Sequence, residues 1–197
     1  MKLAYLTSVA VCVALAVATH PAQAEPFNGP FIGVEAGYES YPDDLSGGVA
    51  SLVAGWDFKI NDHWVVGVEG RYGEPSASDT ETVASTTSTA VSKVELSNQY
   101  GAGLRVGRIF GERLLVYGTV GAERFDVEAI RTVTPRAPCT NCNPVRSDFS
   151  FTEDVTTFGI GTEWAVADNW SIHGAYTRAD GDAYERNSIT AGLKLRF

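Results

Sequence analysis

From Phe31 to the last residue, apolar side chains return at every second position in runs of about ten, and no stretch carries a helical period. The last run is the clearest: Ile189, Ala191, Leu193, Leu195 and Phe197 alternate with Ser188, Thr190, Gly192, Lys194 and Arg196. Seven earlier runs read the same way. Ile32, Val34, Ala36 and Tyr38 oppose Gly33, Glu35, Gly37 and Glu39, and Leu52, Ala54, Trp56 and Phe58 oppose Val53, Gly55, Asp57 and Lys59. Trp64, Val66, Val68 and Tyr72 oppose Gly67, Glu69 and Arg71, and Tyr100, Ala102, Leu104 and Val106 oppose Gln99, Gly101, Gly103 and Arg105. A less tidy fifth run holds Leu114, Val116, Val120 and Ala122, then changes phase at Phe125 and Val127, which predicts a β-bulge near Glu123 and Arg124. The sixth and seventh oppose Phe158, Ile160 and Trp164 to Gly159, Gly161 and Glu163, and Trp170, Ile172 and Tyr176 to Ser171, His173 and Thr177.

Eight strands with two unlike faces follow, and their connections alternate in length. Short polar turns at 61–63, 111–113 and 168–169 are interleaved with longer stretches at 40–49, 74–93, 131–148 and 180–186. The stretch 74–93 is rich in Ser and Thr and of low complexity, so it is expected to be an open, mobile loop.

In a soluble barrel the apolar face would fill the interior. Here the other face carries glycines and charges that fit only a narrow polar lumen, so the apolar face must look outward. Lipid offers no hydrogen bonds to a backbone, and strands cross it only in a closed sheet. A crossing takes about 9–11 tilted residues, as these runs supply. Trp56, Trp64, Trp164 and Trp170 all lie near short turns, and Tyr38, Tyr72 and Tyr176 lie towards the long loops, as expected of two interfacial belts. The predicted fold is all-β: an eight-stranded antiparallel up-and-down transmembrane β-barrel with short periplasmic turns and long extracellular loops.

The N-terminus agrees with export. Met1 and Lys2 precede an apolar stretch to Ala18, and Ala22-Gln23-Ala24 is a small-residue cleavage site, so residues 1–24 read as a signal peptide and 25–197 as one barrel domain. The residue pattern before Cys12 does not suit lipidation. Past the signal no run of about 20 apolar residues predicts a spanning helix. A net charge of −9 excludes nucleic acid as a partner, since phosphate neutralisation needs clustered Lys and Arg.

Together the cleavage site, the eight alternating segments and the ending Ile189 to Phe197 resemble the small Gram-negative outer-membrane β-barrel family that includes the OmpA membrane domain, OmpX and the Opa adhesins. The resemblance covers nearly all of Pro30 to Phe197. It implies that Phe197 closes a C-terminal signal read by the outer-membrane insertion machinery, that periplasmic chaperones escort the chain, and that the cell outer membrane is its destination. No ligand carries over to the long loops, and the extracellular ligand stays unknown.

Among candidate sites, the inward Glu35, Glu69, Arg71, Arg105, Glu163, Lys194 and Arg196 must pair to offset desolvation, which predicts a salt-bridge network plugging the lumen, with a conducting path as the alternative. Cys139 and Cys142 sit between prolines in an oxidising compartment, so a small-loop disulfide is the first choice over free thiols or a metal. Arg131, Arg136 and Arg146 make the same loop basic and could hold lipopolysaccharide phosphates. A lipid-A-modifying enzyme needs a positioned Ser and His. Ser171 and His173 stand two apart on one strand, in the order opposite to the deacylase motif. No catalytic, metal or cofactor site is predicted. The expected role is non-enzymatic, in envelope integrity and surface interaction through the loops, with outer-membrane lipid and lipopolysaccharide as surroundings; the alternative is a narrow diffusion pore.

Overall fold

The computed structural model of the chain describes residues 25–42, 45–135, 143–181 and 185–197. The signal segment, Arg136, Cys139 and Cys142 lie outside the described residues. The strands are β1 (Gly29–Ser40), β2 (Ser46–Asn61), β3 (Trp64–Pro75), β4 (Ser78–Ala84), β5 (Ser88–Phe110), β6 (Leu114–Pro135), β7 (Val145–Ala165), β8 (Trp170–Asp180) and β9 (Glu185–Arg196). All pairs are antiparallel. β9 returns to β1, and β3 pairs with β5 from Trp64↔Arg108 to Gly73↔Gln99, so eight strands close a ring and β4 stands outside it.

Closure needs a glycine where the two chain ends meet. Gly29 has φ +93°, and a Cβ there would lie 2.8 Å from the carbonyl oxygen of Phe197. The Phe197 amide donates to the Pro30 carbonyl at 3.1 Å, tying the last residue to the first strand. At the same end the Asn61 side-chain oxygen accepts the amides of His63 (2.9 Å) and Trp64 (3.0 Å), which builds the tight β2–β3 turn.

Outward and inward residues differ sharply in accessibility. Leu104 is 55% exposed and its neighbour Arg105 1%. Val66, Ile160 and Leu193 are likewise exposed, and they do not share a dry centre. The interior holds the charges instead.

Two expectations are corrected. Residues 74–93 are not an open loop: β4 pairs with β5 from Ser78↔Glu95 to Ala84↔Thr89, a hairpin closed by Ser85, whose hydroxyl accepts the amides of Thr87 and Ser88. The Thr and Val of the segment are β-branched and favour extended backbone; residues 88–93 pair with β6, and β4 pairs with them in turn. The bulge predicted at Glu123 and Arg124 is absent: β6 pairs with β7 without a break from Leu114 to Val133. The irregularity lies on the neighbouring strand, between Leu96 and Gln99 of β5. Phe125 and Val127 face inward and are buried, so the apolar set changes side while the strand keeps its alternation.

That change of side marks where the strands leave the apolar band. β5, β6 and β7 run 23, 22 and 21 residues, about twice what a crossing requires. Their upper halves, with β4, rise as a four-stranded sheet past the ring, where β7 begins to pair with β8 only at Thr156↔Asp180.

Candidate functional site

The lumen is filled in layers. At the short-turn end Phe27, Val65, Ile109, Leu115, Tyr117 and Ala165 form a dry base. Phe27 holds a left-handed backbone, φ 60°, that turns the N-terminal segment back beneath the ring, with its aromatic face 5.4 Å below the Arg196 guanidinium. A non-glycine residue is rarely found there, and complete burial of the ring offsets the strain.

On this base stands a four-charge arrangement. Asp57 accepts Arg196 Nη2 at 2.6 Å and lies 3.0 Å from Arg105 Nε, while Glu163 meets Arg105 Nη2 at 3.0 Å and also accepts Arg196 Nη1. Each carboxylate bridges both guanidiniums. The cations also lie over aromatic rings: Arg105 is 4.6 Å from Tyr117 and Lys194 4.5 Å from Phe31. Such contacts strengthen when water is excluded. Lys194 Nζ donates to Glu69 at 2.8 Å, Arg71 spans Glu69 and Glu35, and Glu35 reaches His173 Nε2 at 3.1 Å. All seven charges picked from the sequence therefore face the lumen, in one connected set.

A second cluster lies nearer the long-loop end. Arg186 meets Glu39 at 3.2 Å, donates to Gln99 Oε1 at 2.6 Å and to Glu123, and lies 4.9 Å from the Phe125 ring. Tyr41 donates its hydroxyl to Glu39 at 2.6 Å. Above it Tyr41, Ala77 and Val127 close an apolar cap. Between the two clusters a half-open cavity of about 50 Å³ is lined on the inside by Glu69, Arg71, Glu123, Thr157 and Thr177 and, where glycines thin the wall at β5 and β6, by the outward Leu104 and Val120.

Sequence reasoning missed Asp57, Glu39, Gln99, Glu123 and Arg186 as members of these clusters. Asp57, Glu39 and Gln99 were already on the inward face of their runs, so parity alone identifies them. Extending the last run one step below Ser188 would have found Arg186. Glu123 was assigned to the expected bulge.

The glycines seat these large side chains. A Cβ at Gly161 would come within 2.5 Å of the Tyr117 ring, and one at Gly67 within 2.3 Å of an Asp57 carboxylate oxygen. Ser171 and His173 both point inward. Ser171 donates to Glu163 at 2.7 Å and accepts from Arg196 at 3.2 Å, and each of the two residues is engaged by a carboxylate rather than by the other.

Outside, Trp56, Trp64, Trp164 and Trp170 stand exposed around the short-turn end, with Trp56 stacked on Phe58. Arg131 and Arg146 are not brought together. The register Thr132↔Arg146 sets them on opposite faces of the upper sheet, Arg131 towards the barrel axis and Arg146 outward, where it pairs with Asp148 at 2.8 Å.

Residues 9–197 match the family model described as outer membrane protein beta-barrel domain. Similar solved structures include Ail, the attachment invasion locus protein of Yersinia pestis, at 16% identity over 86% of this chain and 99% of that one, TM-score 0.47. Neisserial surface protein A is similar at 17% identity over 86% and 98%, TM-score 0.49. The outer membrane protein OprG of Pseudomonas aeruginosa is similar at 12% identity over 88% and 98%, TM-score 0.48. No curated protein matches the chain.

Proposed function

Because this chain belongs to the outer membrane protein beta-barrel domain family and resides in the Gram-negative outer membrane, we propose that it is a non-enzymatic envelope protein whose sealed barrel anchors surface-interacting loops. The observation that carries this reading is the lumen: the charged clusters and the apolar base and cap occupy it, leaving little free volume. An eight-stranded ring is just wide enough to be filled by side chains. What remains to interact is the outer wall, with lipid, and the hairpins β4–β5 and β6–β7, with the outside.

Residues 1–24 act as the export signal, 25–197 form the barrel domain, and Phe197 ends the strand that the insertion machinery reads. Cys139 and Cys142 form a disulfide at the β6–β7 tip; failure of both to react with a thiol reagent in non-reduced protein is the expected result. Ser171 and His173 are held by lumen carboxylates, which favours a structural role for both over acyl chemistry. Lipopolysaccharide contacts fall to outward cations such as Arg146.

Replacing hairpin tips 80–93 and 132–145 with short turns tests this reading. The heat-modifiable gel shift of a closed barrel should persist, while adhesion of whole cells to surfaces is lost. Unchanged adhesion would count against a surface role. The second reading, a narrow pore, rests on the cavity of about 50 Å³ between the clusters, and planar-bilayer recordings distinguish it by steady single-channel steps.

A further inference from the structure

Among the described residues four strand arginines point outward, and three of them carry their own counter-ion. Arg124 pairs with Asp154 at 2.6 Å, Arg146 with Asp148 at 2.8 Å and Arg178 with Glu185 at 2.8 Å, all towards the long-loop end. Arg108 is the exception. It stands exposed on β5 at the short-turn end, with no ion pair among the described residues. Its neighbours on the outer face are Trp64 across on β3, Val116 across on β6, and Val106 and Phe110 along β5. None is acidic. The carboxylates of the adjoining turns, Asp62 and Glu112, line a cup beneath the apolar base, together with Glu25, Asp168, Lys59 and Arg113.

The Arg108 guanidinium lies 5.4 Å from the centre of the Phe110 ring. Stacked on a ring, a guanidinium keeps its N–H groups in one plane, free to donate to two oxygens of a phosphate. Trp64, the cross-strand partner, is 46% exposed, and its ring N–H meets no acceptor among the described residues. Tryptophans of a girdle lie at headgroup level, so an arginine in their row lies at the depth of lipid phosphates. Diagonally above Arg108, on β6, Gly118 leaves the wall hollow between Val106 and Ile160: the nearest atom to a Cβ there would be 3.7 Å away. Donors at headgroup depth beside an apolar hollow fit a phosphate that carries acyl chains. Because no carboxylate of the wall offsets Arg108, a headgroup of net negative charge suits it better than a zwitterion, which brings its own ammonium.

We propose that Arg108, with Trp64 and Phe110, forms a site for an anionic glycerophospholipid of the leaflet at the short-turn end, its phosphate on the guanidinium and an acyl chain over Gly118. The site belongs to the wall and needs nothing from the hairpins, so it goes beyond the surface role.

The test uses the whole barrel folded into vesicles, with Trp56, Trp164 and Trp170 replaced by Phe so that Trp64 alone reports. The vesicles mix phosphatidylcholine with phosphatidylglycerol whose chains carry bromine, a contact quencher of tryptophan. Quenching of Trp64 should exceed what the mole fraction accounts for, by a relative affinity of about fivefold, the worth of one cation near anionic lipid. Arg108→Gln should abolish the preference, and Arg108→Lys, which keeps the charge but not the fork, should retain part of it. Each variant must keep the gel shift. A barrel whose sole tryptophan is Trp170, three strands away, should show no preference. Absence of preference at Trp64, an unchanged preference in Arg108→Gln, or an equal preference at Trp170 overturns the proposal. So does its abolition by soluble glycerol phosphate, which would make the site one for free phosphates. Replacing the hairpin tips should leave Trp64 quenching as it was, so failure of the surface role and failure of this site are read separately.

Discussion

Arg105 and Glu163 meet at 3.0 Å across the lumen, from strands β5 and β7 that are separated in the ring by β6. The bond is therefore a cross-brace. Arg105 also serves Asp57, and its removal leaves two buried carboxylates sharing Arg196. Breaking one side of a buried pair costs more than never having had it. Arg105→Met should destabilise the folded barrel by about 3–5 kcal/mol, and adding Asp57→Asn and Glu163→Gln should recover much of that. Urea unfolding in detergent micelles, followed by tryptophan fluorescence, measures both.

The glycine seats give a second prediction with its own control. A Cβ at Gly161 would meet the Tyr117 ring at 2.5 Å and a backbone oxygen at 2.9 Å, whereas the nearest atom to one at the outward Gly118 is 3.7 Å away. Gly161→Ala should cost about 1–3 kcal/mol by overpacking, and Tyr117→Ala in the same chain should relieve part of it. Gly118→Ala should stay within about 0.5 kcal/mol of wild type, as surface changes usually do. Equal effects at the two positions would contradict the inward seating of Tyr117.

How far the sequence revealed this architecture depends on which solvent each side chain meets. Lipid asks only that a residue be apolar, so Leu104, Ile160 and Leu193 announce their direction through alternation alone. The inward charges of the middle runs follow by parity. Glu123 and Phe125 are different: there β6 passes from the apolar band into water, and the apolar set moves to the inner face without any change in backbone periodicity. A sequence carries no local mark of the membrane surface, so the exchange imitates a bulge. Residues 78–84 fail for another reason, since Ser and Thr serve equally in loops and in strands exposed to water, and only the partner β5 decides.

The position of that boundary is itself testable on β6. Val120 and Glu128 are both outward-facing, one in the apolar band and one above it. Val120→Arg should cost about 2–4 kcal/mol, the penalty for a cation facing the bilayer interior. Glu128→Arg should change stability by less than about 0.5 kcal/mol. Reversible folding into lipid vesicles reads both values, and similar penalties would mean that the apolar band extends higher than the exchange at Phe125 indicates.

Because the two charged clusters stand one above the other, they obstruct ions in series. Arg186 with Glu39 and Glu123 blocks the upper lumen, and Arg105, Arg196, Asp57 and Glu163 block the lower, with the small cavity between them. Opening one obstacle leaves the other in place. Arg186→Ala alone and Arg196→Ala alone should each give a silent barrel in planar-bilayer recordings. The double variant, made together with Phe27→Ala and Tyr41→Ala so that the apolar base and cap are opened as well, should show conductance steps at least about tenfold above the leak of either single variant, reflecting loss of both obstacles. Low-salt recordings should enlarge that contrast, since screening weakens charge barriers open to solvent. Steps of the double variant's size in Arg186→Ala alone would remove the lower cluster from any sealing role and favour the narrow-pore reading.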